Sequence, residues 1–176
     1  YVFLALDHDA AFIAEGTLAS LPINAATIFL GLTYVVLAQR HGALLSCTAA
    51  VGVWFVLAAI IRSVQWSLAG GLIANAIAFG ICVPLLARYR PARMPPFTSM
   101  MLILHPRIGG PPTAAVLANS AWGLIGLGIA IAVLHVAALQ FGSAVGLGLA
   151  LATCIGWNLG LWWLGRRKAA QAEPKV

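Results

Sequence analysis

Six side chains capable of chemistry stand inside or at the edges of long apolar runs: Glu15, Asn24, Asn75, Asn119, His135 and Asn158. Glu15 and His135 are the two that can exchange a proton near the apolar runs, which is the chemistry of a coupling group. The four asparagines offer paired donors and acceptors of the kind that would line the path of a small polar solute. Each has a plainer use as well. Glu15 precedes the first full apolar run by about one turn and suits the solvated start of a helix, where the dipole favours negative charge. His135 lies four residues from the end of its run. An asparagine in hydrocarbon must pair its amide, so interhelical glue is the competing role for all four.

Two backbone patterns accompany these residues. Pro22 stands two positions before Asn24 in SLPINAAT. Inside a helix it would remove a hydrogen bond and free carbonyls, as in the broken helices of transporters; in a first turn it would do no damage. Gly109, Gly110 and Pro111, followed by Pro112, read as a flexible-then-rigid hinge or gate leading into a later run. They close a segment, 88–112, whose prolines at 91, 95, 96, 106, 111 and 112 forbid a continuous helix. Its apolar piece, FTSMMLIL, is too short to cross a bilayer and reads as an interfacial helix or a re-entrant dip. Arg88, Arg90, Arg93 and Arg107 in this segment are candidates for anionic lipid headgroups.

The elements that must position these residues are membrane helices. Of the 176 residues, 62% are hydrophobic and only 8% charged, with a mean hydropathy of +0.98. A soluble domain is about 45–50% apolar and 25% charged. Windows of about 19 residues place spans at approximately 18–38, 43–61, 67–87, 113–139 and 143–165. The runs lack the two-residue alternation of barrel strands, so the expected fold is an all-α bundle of five transmembrane helices in one domain, with a tail at 166–176. The net charge of +6 does not mark a nucleic-acid binder, because the basic residues fall between apolar runs rather than along a groove.

If the spans alternate, one side receives Arg40, Arg88, Arg90, Arg93, Arg107, Arg166, Arg167, Lys168 and Lys175, nine of the ten basic residues, and the other receives Arg62 alone. The positive-inside rule then places the nine in the cytoplasm, the N-terminal segment outside and the C-terminus inside, as in a bacterial inner-membrane protein. The opening YVFLAL reads as the last turns of a preceding helix emerging at Asp7, which makes the chain the C-terminal part of a longer one. A mature N-terminus lying at the interface is the alternative.

Small residues on the spans suggest how they pack. The fifth carries Gly142, Gly146, Ala150 and Cys154 on one stripe and Gly148, Ala152, Gly156 and Gly160 on the next; the third offers Gly70, Ala74 and Ala78, the fourth Ala118, Gly126 and Ala130. The fifth span is therefore expected at the centre of the bundle or at a contact between protomers. Cys47, Cys82 and Cys154 lie in apolar runs without metal or redox spacing and read as small buried hydrophobes. No Walker A, HExxH, GxSxG or kinase signature occurs, and the four histidines divide between the two sides, so neither an enzyme, a metal site nor a cofactor is implied. The expected function is part of a transporter or exporter for a small solute. The alternative is a non-catalytic structural or assembly subunit of a larger membrane complex. The expected partners are the lipid bilayer, further copies of the chain or another membrane subunit, and a small solute, with no nucleic acid.

Overall fold

A computed structural model describes residues 8–89 and 109–172, the side chains of 168–172 excepted. Among the described residues five helices follow one another: α1 (Ala10–Leu37), α2 (Ala43–Arg62), α3 (Leu68–Ala87), α4 (Gly110–Phe141) and α5 (Ser143–Ala172). All five are long and apolar enough to cross a membrane, and no strand occurs among the described residues. The protein is an all-α integral membrane bundle.

Local chemistry sets the helix ends. Asp9 caps α1 by accepting the Phe12 backbone N–H on Oδ1 at 2.9 Å, satisfying one of the donors that a helix start leaves unpaired. His8 stacks on the Phe12 ring at 4.0 Å. Ser67 caps α3 in the same way, accepting from the Gly70 N–H at 3.1 Å. Between α4 and α5 the chain turns on the single residue Gly142, whose φ of +86° favours glycine over residues with a Cβ. Gly109, with φ +87°, makes the corresponding bend into α4.

Three boundaries differ from the sequence reading. α1 begins at Ala10 rather than near residue 18, because the Asp9 cap lies a full two turns upstream of the strongly apolar run; Glu15 is therefore inside the helix. Pro22 consequently sits in the interior of α1, not its first turn, and the helix continues through it. α4 begins at Gly110, so two of the hinge candidates, Gly110 and Pro111, belong to its first turn, where a proline costs no hydrogen bond; only Gly109 remains outside. α5 runs on to Ala172 and absorbs most of the expected tail. Arg90, Arg93, Arg107 and the FTSMMLIL segment lie outside the described residues; Arg88 is the C-cap of α3.

The helices build two compact units, Leu18–Gly128 and the remainder. The first is knit by Ile28, Tyr34, Val35, Phe79, Cys82 and Leu86 with alanines at 25, 38, 50, 78, 114, 118 and 121. Alanines at 114, 118 and 121 repeat on one face of α4 and let neighbouring backbones approach, which is the main source of helix affinity where lipid is as apolar as leucine. The second unit closes around Ile13, Leu134 and Ala138, with Leu147 and Ala150 against them. There α5 touches α4 through Gly146, where a Cβ would come within 2.9 Å of the Ala138 backbone nitrogen. The span of α5 is only 6% buried, against 44% for α1 and α4. Its expected place at the centre of the bundle is thus corrected: of its two small-residue stripes only Gly146 and its neighbours find a partner, while Gly148, Gly156 and Gly160 have nothing within 4 Å of a Cβ position.

Candidate functional site

Two of the six candidates meet inside the larger unit. Asn24, on α1, and Asn75, on α3, are 4% and 8% exposed, and the amide of Asn24 donates to Asn75 Oδ1 at 2.8 Å. The same Nδ2 also donates to the Leu124 carbonyl of α4 at 3.1 Å. Asn75 spends both its own N–H bonds on carbonyls, those of Leu21 at 2.7 Å and Gly71 at 2.8 Å. Every amide donor is used, and three helices are tied through one knot. One atom is left over: Asn24 Oδ1 is buried without a hydrogen-bond partner.

The knot depends on two glycines. At Gly71 a Cβ would fall 2.9 Å from Leu21 Cβ, and at Gly128 it would fall 2.9 Å from Asn24 Nδ2 and 3.3 Å from Asn75 Oδ1. Ordinary contacts begin near 3.4 Å, so both positions require the absence of a side chain for the three helices to stand this close. Pro22, fully buried, adjoins the knot. Having no N–H, it leaves the Leu18 carbonyl one helical bond short.

His135 makes a second, separate cluster in the smaller unit. Its Nδ1 lies 2.8 Å from the Ala14 carbonyl and 3.2 Å from Thr17 Oγ1, while Thr17, fully buried, donates its own hydroxyl to Ala14. A carbonyl can only accept, so Nδ1 is the donor in the bond to Ala14. The arrangement fastens α4 to the start of α1.

The remaining candidates stand apart. Glu15 is exposed on α1, Asn119 is exposed on α4, and Asn158 is exposed on α5. Asn158 donates back to the Cys154 carbonyl of its own helix at 2.8 Å and borders a groove of about 470 Å³ lined by Cys154, Ile155, Asn158, Leu159 and Trp162. Thr153, Thr27 and Thr33 likewise bond carbonyls of their own helices. These side chains are thus satisfied within their own helices, whereas the asparagine knot and the His135 cluster each join different helices.

Sequence reasoning missed Gly71, Gly128 and Thr17. The signal for the first was present: the buried face of α3 runs through Gly71, Asn75, Ala78, Phe79, Cys82 and Leu86, so anchoring the stripe on Asn75 and stepping back four residues selects Gly71 over Gly70. Gly128 follows Leu124 by the same four-residue step on α4, but only knowing that Asn24 faces Leu124 makes that step meaningful. Comparison with protein-family models, curated proteins and solved structures finds no match, so the geometry alone carries the functional reading.

Proposed function

We propose that this chain is a non-catalytic helical subunit that scaffolds a larger assembly in a bacterial inner membrane. The observation that carries the reading is the asparagine knot: Asn24 and Asn75 spend all their donors on each other and on the carbonyls of Leu21, Gly71 and Leu124. Groups that serve a passing solute must be free to exchange partners, whereas groups that lock helices are satisfied in place. Nine basic residues against one support an N-terminal segment outside and a cytoplasmic C-terminus. The partners are further copies of the chain or another membrane subunit.

The test is water access. In a chain whose Cys47, Cys82 and Cys154 are replaced by alanine, Asn24→Cys and Asn75→Cys in proteoliposomes should resist a small aqueous thiol reagent, while Ser63→Cys, in the exposed α2–α3 turn, reacts promptly. Modification at 24 or 75 within tenfold of the Ser63→Cys rate would refute the scaffold reading. The same Ser63→Cys variant reports orientation: labelling in intact cells from outside is expected, and labelling only after the inner face is opened reverses the topology.

A second reading, a transporter or exporter of a small solute, has a specific observation in its favour. Asn24 Oδ1 is a buried acceptor with no donor, next to a proline-interrupted turn of α1. A solute N–H or O–H would satisfy it, and rapid labelling at position 24 is the result that this reading requires.

A further inference from the structure

The C-terminal end of α5 carries two arginines that the bundle does not use. Arg166 places its Cζ 4.6 Å from the centroid of the Trp162 ring, and Arg167 places its Cζ 3.4 Å from that of Trp163. In each pair the two residues are four apart, so each arginine stacks on the tryptophan one turn before it, the two stacks occupying adjacent stripes about 100° apart around the helix. Stacking occupies the flat faces of the guanidinium groups and leaves their N–H edges open, the edges that recognise phosphate oxygens. The rings are themselves outside the core, Trp162 58% and Trp163 48% exposed. Only Asp9 and Glu15 are acidic among the described residues, and both belong to the opposite end of the membrane-crossing elements, near the start of α1.

The groove on α5 begins at this point. Trp162 is both the platform under Arg166 and the lower wall of the groove. From there the groove extends past Leu159, Asn158 and Ile155 to Cys154, a rise of about 12 Å at 1.5 Å per residue. A charged, aromatic-backed end joined to an apolar trough that points toward the membrane interior has the shape of a phospholipid. We infer that Arg166 and Arg167 bind the phosphate of one anionic phospholipid, whose acyl chain lies in the groove from Trp162 to Cys154.

The charge argues against a second copy of the chain on this face. Two copies related by a two-fold axis along the membrane normal would meet with their α5 helices parallel, bringing four guanidinium groups to one level with no acid among the described residues to offset them. An anionic headgroup supplies the missing charge. The Trp162 and Trp163 rings suit the same depth, the boundary between headgroups and hydrocarbon.

The experiment uses the full chain, purified in detergent and titrated with phosphatidylglycerol or phosphatidylcholine, with bound lipid counted by native mass spectrometry. One phosphatidylglycerol is expected to be retained in preference to phosphatidylcholine, and raised salt should erode the preference. Replacing both arginines, R166Q/R167Q, should lower the preference about 25-fold, fivefold for each charge near the surface. Gly156→Leu, which fills space beside the groove, should weaken both lipids together. Arg40→Gln, an exposed cation at another helix end, should change nothing; elution volume and helical circular dichroism confirm that each variant folds. An unchanged preference in R166Q/R167Q, with the fold intact, overturns the inference. So does competition by inorganic phosphate at the affinity of the lipid, which would make the site one for free phosphate. A dimer that Gly156→Leu dissociates would assign the face to a second copy instead, and overturn it as well.

Discussion

Adding one methyl group at Gly128 should test the knot more sharply than removing either asparagine. The new Cβ would stand 2.9 Å from Asn24 Nδ2 and 3.3 Å from Asn75 Oδ1, a shortfall of roughly half an ångström against the first. Asn24 cannot retreat freely, because Nδ2 is held at 2.8 Å and 3.1 Å by two acceptors on different helices. Either those bonds lengthen, at about 0.6 kcal/mol each and at most about 1.7 within a membrane, or α4 moves outward at an overpacking cost of about 1–3 kcal/mol. Against this, alanine is favoured over glycine in a helix by up to about 1 kcal/mol. The expected net effect is a loss of about 1 kcal/mol. Gly123→Ala, on the same helix with nothing within 4 Å of its Cβ position, keeps the propensity gain alone and should stabilise by up to about 1 kcal/mol. The two variants should therefore differ by about 2 kcal/mol in an unfolding titration with dodecyl sulfate in mixed micelles, followed by circular dichroism. A Gly128→Ala protein as stable as Gly123→Ala would refute the claim that the helices are held this close by the asparagine pair.

Three further outcomes follow from single contacts. Asn75→Asp keeps an acceptor for Asn24 but sets carboxylate oxygens against the Leu21 and Gly71 carbonyls, so it should destabilise the same unfolding transition more than Asn75→Ala does; the reverse order would mean that the bonds to those carbonyls contribute little. Ser46 is fully buried and its Oγ has no partner among the described residues, so Ser46→Ala should be neutral or stabilising by up to about 1 kcal/mol, and a clear loss of stability would reveal a partner. Asp9→Ala removes the α1 cap and should cost about 1 kcal/mol, seen as faster amide exchange at residues 10–13 with the rest of the helix unchanged; uniform protection across those residues would show that packing, not the cap, fixes the helix start.

The chain alone determined its class and the five membrane-crossing helices of the described residues, for a reason that is nearly free of context. About twenty apolar residues without charge can satisfy their backbone in lipid only as a helix, so runs such as ALLSCTAAVGVWFVLAAII declare themselves whatever surrounds them. Asparagines in such runs likewise announced that partners must exist. Helix ends were less legible. The start of α1 was set by Asp9 two turns before the apolar run, and the start of α4 by a glycine with positive φ followed by prolines compatible with a first turn, a segment whose proline content resembled a loop.

What only tertiary structure decided was which atoms meet. Asn24 and Asn75 are separated by 51 residues, and nothing local to either says that each faces the other across a gap kept open by Gly71 and Gly128. The same holds for His135, whose partners Ala14 and Thr17 lie on the first helix, and for α5, whose glycines promised either a central helix or a contact between protomers and whose span is the least buried of the five. A stripe of small residues states that a backbone can be approached. Whether another helix comes is decided by the rest of the bundle, because in lipid the gain from any one contact is small and the arrangement is chosen by the sum of them.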